Sequence, residues 1–408
     1  MTQHSPHRPE GTELLTLCRL FLRLGCTAFG GPAAHIALMR EEVVTRRKWL
    51  SEAEFLDLLG ATNLIPGPNS TEMAIHLGYL KGGYLGLLLA GVCFILPAAL
   101  IVSLIAWGYV AFGSLPEISG ILYAVKPVII AVVAQAIWML SGSALKNRLL
   151  MGLAVVSFGL ALLGFDELTL LFGAGLLTGL VRWGTLARMG QRPRLTSLLL
   201  MIAVSLALLV LPAALSSHLP GQTDGAPFAP STLFVFFLKI GSVLYGSGYV
   251  LLAFLRGSLV DKWGWLTEVQ LLDAAAVGQV TPGPVFTTAT FIGYILGGPT
   301  SAFIATVAIF LPSFVFVALS GPLIPRIRRS ALAGAFLDGV NASSLALMAA
   351  VTVQLGRAAV IDPLTTLLAI SSAVLLLRFK VNSAWLILGA AMLGYTFRDF
   401  CVTSMHLN

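Results

Sequence analysis

The chain repeats itself at a distance of 216 positions, and both copies carry the same prolines and glycines inside apolar segments. Phe21-Leu22-Arg23-Leu24-Gly25 returns as Phe237-Leu238-Lys239-Ile240-Gly241. Arg40 returns as Arg256, and Trp49-Leu50-Ser51-Glu52 as Trp265-Leu266-Thr267-Glu268. Asp57 matches Asp273, and Pro66-Gly67-Pro68 matches Pro282-Gly283-Pro284, all at the one offset of 216. Beyond that triplet the register slips by one, so that Gly78 pairs with Gly293 and Leu96-Pro97 with Leu311-Pro312. The fold must therefore be two like halves. Those halves belong in lipid: 57% of the 408 residues are hydrophobic, 11% are charged, and mean hydropathy is +0.90. So few charges could not screen that much apolar surface from water.

The apolar segments divide into two kinds. Leu14–Met39 is interrupted by Gly30-Gly31-Pro32, and Ala53–Leu80 by Pro66-Gly67-Pro68; their copies run 232–255 and 269–296. Continuous segments follow at 84–112, 119–141, 149–165, 168–181 and 195–215, and in the second half at 299–320, 331–356, 363–377 and 382–397. The expected fold is an all-α integral membrane protein of two inverted-topology repeats, with Gly/Pro-broken or re-entrant helices in each half. Its expected organisation is a short cytoplasmic tail (1–12), a first repeat (13–183), a linker with an extra transmembrane helix (184–231), a second repeat (232–400) and a tail (401–408). No cleavable signal is expected at the N-terminus.

Inversion follows from the basic residues, whose net charge of +7 is scattered over short loops and so records orientation rather than nucleic-acid binding. Arg182, Arg188, Arg192 and Arg194 put one loop in the cytoplasm, whereas 216–231 holds no Lys or Arg and faces out. Counting spans onward puts Arg326, Arg328, Arg329, Arg378 and Lys380 inside; counting back puts Lys146 and Arg148 inside and the turn at Gly113–Pro116 outside. That turn is the repeat equivalent of the inside loop 325–330, so the halves are inverted. Arg40, Arg46, Arg47 and Lys48 reach the cytoplasm when the broken segments are re-entrant hairpins, which is the arrangement we expect. Broken backbone at membrane depth must then be satisfied by protein or by a water-filled cavity.

The two Pro-Gly-Pro triplets are the strongest chemical signal. A helix arriving from Asn63 cannot run on through Pro66 and Pro68, since each lacks an amide donor and restricts the residue before it. Proline suits the first turn of a new helix, so a half-helix should start with free N–H groups near Asn69, Ser70 and Thr71. Such an N-terminus attracts anions. The copy keeps Gln279, Pro282, Gly283, Pro284, Thr287 and Thr288, and two inverted half-helices aimed at one centre would suit a tetrahedral oxyanion. A plain proline kink is the alternative. Gly30-Gly31 and Gly246-Ser247 mark a second pair of breaks, explained equally by close helix packing or by backbone exposed to a ligand.

Charged residues within apolar sequence are functional candidates. Arg23 and Lys239 could add positive charge beside the half-helices, Lys126 is replaced by Asn341 in the copy, and Glu72, Asp57 and Asp273 could carry protons or pair with bases. His35 and His76 could titrate near neutrality. Structural ion pairs and snorkelling compete with each of these roles, and Arg40/Arg256 and Trp49/Trp265 read as interfacial anchors. Cys18, Cys26, Cys93 and Cys401 have no metal-like spacing and read as packing residues. With no Walker loop and no catalytic set, the sequence points to neither an enzyme nor a cofactor or metal.

Phe29-Gly30-Gly31-Pro32-Ala33-Ala34-His35, Arg46-Arg47-Lys48-Trp49-Leu50 and Pro66-Gly67-Pro68 resemble the chromate ion transporter family. The second half is similar in Gly246-Ser247-Gly248-Tyr249-Val250-Leu251 and in Gly278-Gln279-Val280-Thr281-Pro282-Gly283-Pro284. The resemblance covers roughly 14–400 and corresponds to the family's long, two-domain form. It implies a multi-pass protein of the bacterial inner membrane that exports chromate, confers chromate resistance and is driven by ion gradients. Sulfate or another oxyanion is the alternative substrate, by uptake or exchange, and a channel-like conduit the alternative mechanism. The coupling ion and a homodimer are left open by the sequence.

Overall fold

The computed structural model describes residues 11–28, 31–62, 65–113, 116–190, 227–245, 250–320 and 330–397, with isolated positions between 196 and 206. Gly30, Asn63, Gly246 and Ser247 lie outside the described residues, as does most of the extra segment expected at 195–215. No strand occurs among the described residues. The first half comprises α1 (Gly11–Thr27), α2 (Gly31–Arg40), α3 (Glu52–Thr62), α4 (Asn69–Phe112), α5 (Pro116–Ala144), α6 (Arg148–Leu162) and α7 (Glu167–Arg188). The second comprises α8 (Pro230–Val243), α9 (Leu251–Leu255), α10 (Glu268–Val280), α11 (Thr288–Ser320), α12 (Ala331–Ala359), α13 (Pro363–Arg378) and α14 (Ser383–Thr396). α2 and α9 each run on into a π-helical turn, Glu41–Arg46 and Arg256–Lys262. The duplication thus extends to an irregularity of the backbone.

α4 and α11 are each two arms folded at a pair of glycines. Gly82 (φ −137°, ψ 18°) and Gly83 (φ 57°, ψ −147°) leave the helical region, as do Gly297 (φ −154°, ψ 25°) and Gly298 (φ 71°, ψ −163°). Beyond each pair the chain doubles back, so Gly78 packs against the backbone of Gly86 and Gly293 against that of Ser301. In a straight helix those partners would stand about 12 Å apart. The second arm of α4, 84–112, is about 43 Å long and can cross a bilayer; the first, 69–81, is about 20 Å long and cannot.

The short elements before each fold are re-entrant. Leu14 at the start of α1 packs on Gly82, and the Lys81 ammonium lies 5.2 Å from the ring centre of Trp49, just ahead of α3. α1–α2 and α3 with the first arm of α4 therefore both enter and leave at one face of the molecule. The second half repeats this: Phe228 packs on Gly297, and its ring lies 5.2 Å from that of Trp265, just ahead of α10. The two faces are opposite ones. The long arm of α4 leaves the Trp49 face and ends where Tyr109 meets Asp273 and Phe291 near the start of α10. The long arm of α11 ends with Val317 beside Tyr79, back near Lys81. Inverted repeats are thus a property of the packing as well as of the charge pattern.

The remaining helices exchange partners between halves. α5 packs on α13 and α14, while its repeat equivalent α12 packs on α6 and α7. α6, α8, α13 and α14 are apolar but short, at 14 to 16 residues, and α5, α7 and α12 are long and apolar enough to cross a membrane. α7 runs to Arg188, past the expected end of its apolar stretch at 181, because helix persists after the hydrophobic pattern has stopped.

Candidate functional site

Both Pro-Gly-Pro triplets separate two helices, as expected from their chemistry. α3 ends at Thr62, Pro68 is extended (φ −78°, ψ 100°), and α4 starts at Asn69. α10 ends at Val280, Pro284 is extended (φ −65°, ψ 131°), and a 3-10 turn over Val285–Thr287 leads into α11. The tips of the two hairpins cross. The Gly67 amide donates to the Leu244 carbonyl (2.8 Å), and the Gly283 amide donates to the Ala28 carbonyl (3.0 Å). Leu244 is the repeat equivalent of Ala28, so each hairpin caps the broken first helix of the other half. Each bond contributes about 0.5–1.5 kcal/mol net, and at membrane depth its loss would strand a donor and an acceptor away from water.

Glycine is required at both tips. Gly67 has φ +136° and Gly283 φ +88°. A side chain on Gly67 would meet the Glu72 carboxyl and the Ser313 hydroxyl (2.7 Å); one on Gly283 would meet the Ala98 methyl (2.7 Å). Ser313 and Ala98 are themselves repeat equivalents, so the same crossing is built twice with different chemistry.

The candidate site residues separate into groups. Pro66, Gly67, Pro68, Ser70 and Thr71 are buried at the first tip, with Asn69 half-buried; Pro282, Gly283, Pro284, Gln279, Thr287 and Thr288 are buried at the second. The Thr287 and Thr288 hydroxyls donate to the Pro284 and Val285 carbonyls, both at 2.8 Å, and close their own turn. Gly31 opens α2 with φ +76°. Arg23 and Lys239 have other company: Arg23 pairs with Glu42 at 2.5 Å, and Lys239 lies within electrostatic reach of Asp166 and Glu167. Arg40 and Arg256 bind Glu52 (2.7 Å) and Glu268 (2.5 Å), tying the end of one hairpin to the start of the next. Lys126 reaches across the halves to buried Asp273 (3.4 Å), which also accepts from the Tyr109 hydroxyl (2.9 Å).

The two halves differ most in buried polarity. His35 Nδ1, the Thr71 hydroxyl, both Glu72 oxygens, His76 Nε2 and the Ser313 and Ser343 hydroxyls are all buried without a hydrogen-bond partner. Their repeat equivalents are Leu251, Thr287, Thr288, Phe291, Ala98 and Val128, which are apolar or, for the two threonines, already bonded. Unpaired buried polar atoms are costly and rare; Trp183, Arg256, Trp263 and Asp273 carry one each elsewhere, but the group on the side of Pro66-Gly67-Pro68 has no unpaired polar counterpart at its repeat-equivalent positions, which marks a place for polar chemistry. Glu72, His35 and His76 could be singled out from the sequence. Ser313 and Ser343 escaped notice, although comparing the two copies position by position for polar against apolar exchanges would have found both.

On the second side, Gln279, Thr288, Leu251 and Val133 border a cavity at the size limit for one water molecule. It cannot hold a tetrahedral oxyanion in this conformation.

With two inverted halves and crossed hairpins in view, the comparison with known proteins is direct. The family model described as Chromate transporter matches residues 15–220 and 231–395. The chain belongs to the chromate transporter family. Its match falls in two blocks, one for each repeat. The chain is 32% identical over 393 residues to the chromate transport protein of Cupriavidus metallidurans, covering 96% of this chain and 94% of that one. It is also 32% identical to a probable chromate transport protein of Synechococcus elongatus (87% and 88% covered) and to the chromate transport protein of Pseudomonas aeruginosa (92% and 90%). No solved structure matches the chain. Membership in the chromate transporter family makes this a multi-pass membrane transport protein.

Proposed function

We propose that the chain is a secondary transporter of the bacterial inner membrane that carries chromate out of the cytoplasm and so confers chromate resistance. The observation that carries this reading is the pair of Pro-Gly-Pro tips, each seated on the broken helix of the opposite half. Such a crossing has two ways to open, related by the pseudo-two-fold and one toward each face, which is what alternating access requires. The oxyanion would bind as one tip withdraws, at the amides that begin α4 and α11. Asn69, Ser70, Thr71, Gln279, Thr287 and Thr288 would supply polar groups, with Asn63, Gly30, Gly31, Gly246 and Ser247 as further candidates for contact with the substrate. Arg23 and Lys239 would add positive charge only after exchanging their present carboxylate partners. The positive-inside pattern supports a cytoplasmic Trp49 face. Export is the direction implied by the family resemblance, and the names of the relatives support chromate as the substrate.

Cells expressing the chain should accumulate less chromate than empty cells, and excess sulfate should abolish the difference if both tetrahedral dianions share the site. Greater accumulation would mean uptake and would overturn the export reading. Replacing Pro66-Gly67-Pro68 by alanines should abolish transport while leaving membrane insertion intact; retained transport would remove the tips from the site.

A further inference from the structure

The Glu72 carboxyl is fully buried one helical turn after Pro68, and neither of its oxygens has a hydrogen-bond partner. No ion pair reaches it among the described residues. The Ser313 hydroxyl faces it across Gly67, close enough that one added methyl would touch both. Tyr245, next to the Leu244 carbonyl that the Gly67 amide holds, lies within electrostatic reach. His76, four residues on, shares its helix face. Charged side chains of the neighbouring helices are turned to other tasks: Arg23 of α1 binds Glu42, and Asp57 of α3 is exposed. An ionised carboxylate has no compensation in this place, whereas a neutral carboxyl does not need it. The repeat equivalent is Thr288, whose hydroxyl is satisfied within its own turn. The carboxyl therefore belongs to one half only.

We propose that Glu72 is the proton-binding group of the transport cycle: it is neutral while the hairpin is closed and loses its proton to water when the hairpin opens without substrate. This rests on the oxyanion reading above. A dianion bound at the start of α4 stands beside Glu72 and raises its affinity for a proton; by linkage the proton raises affinity for the dianion. One proton then travels with each oxyanion, in the same direction, and is taken from the water on the side of entry and released to the water on the side of exit. The second tip carries no such group, so the two otherwise equivalent crossings are coupled to the proton unequally.

The test uses purified full-length protein in weakly buffered detergent solution containing a pH dye, at a pH alkaline enough that chromate is a dianion and the unliganded, open hairpin has released the Glu72 proton. Adding chromate should draw about one proton from solution per anion bound. Glu72→Gln, which fixes the neutral shape, should draw none, and its chromate affinity should no longer tighten as pH falls. A wild-type protein that binds chromate by equilibrium dialysis without taking up a proton overturns the proposal, as does a Glu72→Gln protein with undiminished uptake. If Glu72→Gln does not fold, infrared difference spectra of the wild type decide: a protonated carboxyl band that grows on adding chromate is expected, and its absence is refuting. Wild-type protein that binds neither chromate nor sulfate overturns the substrate reading and the coupling together, which separates that failure from loss of coupling alone.

Discussion

Gly283→Ala probes the crossing of the hairpins, and its cost can be assembled from two parts. At φ +88° an alanine is strained by about 1–2 kcal/mol. Its methyl would also stand 2.7 Å from the Ala98 methyl, well inside the optimal carbon separation of about 3.5–4.0 Å, and overpacking of this kind costs about 1–3 kcal/mol. The expected loss is therefore about 2–5 kcal/mol, the sum of those terms. Gly264→Ala supplies the control: its φ is +64° but nothing lies within 4 Å, so only the backbone part of about 1–2 kcal/mol should appear. Ala98→Gly separates the parts again. Alone it should cost about 1 kcal/mol in helix propensity, but combined with Gly283→Ala it should return the packing part, a coupling of about 1–3 kcal/mol. Unfolding free energies can be read from titration with SDS in mixed micelles, followed by the fluorescence of the seven tryptophans. The crossing is refuted if Gly283→Ala is no worse than Gly264→Ala, or if the 98/283 pair is additive.

Three further outcomes follow from the ion pairs. Lys126→Met should destabilise by about 3–5 kcal/mol because it strands buried Asp273, and adding Asp273→Asn should recover most of that in the same titration. Arg256→Ala should lower the thermal midpoint more than Arg40→Ala, since Arg256 is 17% exposed and holds two carboxylates, whereas both members of the Arg40–Glu52 pair are about half exposed and such pairs are worth about 0.2–1 kcal/mol. Burial pushes the Glu42 carboxyl up, but Arg23 first, then Arg47 and Arg46, hold it below its ordinary value of 4.5. A depressed carboxylate contributes fully above that ordinary value and loses its contribution as pH falls through the lowered one. The midpoint difference between wild type and Glu42→Gln should therefore be constant near neutrality and shrink below about pH 4.5.

Much of this architecture is written in residues that act locally. Pro66, Pro68, Pro282 and Pro284 break helices wherever they stand, and Gly82-Gly83 and Gly297-Gly298 separate the same arms that hydropathy separates. Inversion is legible because lysine and arginine respond to the membrane and not to their neighbours. What local chemistry could not convey is partnership across the molecule. Arg40 and Arg256 look like interfacial anchors in sequence, yet each bonds an acid twelve residues on, a pairing that depends on how two hairpins meet. Arg23 and Lys239 look like free charge for a substrate until Glu42, Asp166 and Glu167 are brought beside them by folding. Ser313 and Ser343 are unremarkable in a helix; only the opposing hairpin turns Ser313 toward Glu72.

The reciprocal capping at Gly67 and Gly283 also orders events during synthesis. When the first half emerges, the Ala28 carbonyl has no Gly283 to cap it, and the Gly67 amide has no Leu244 carbonyl to bond. Gly283 lies 216 positions beyond Gly67, so at about 5–20 residues per second the ribosome needs about 10–40 s to deliver it. For that interval the first hairpin has unpaired backbone at membrane depth and must stay near the interface, or in the shelter of the insertion machinery. The first repeat is thus made early but finished late, and its last step is the arrival of its own inverted copy.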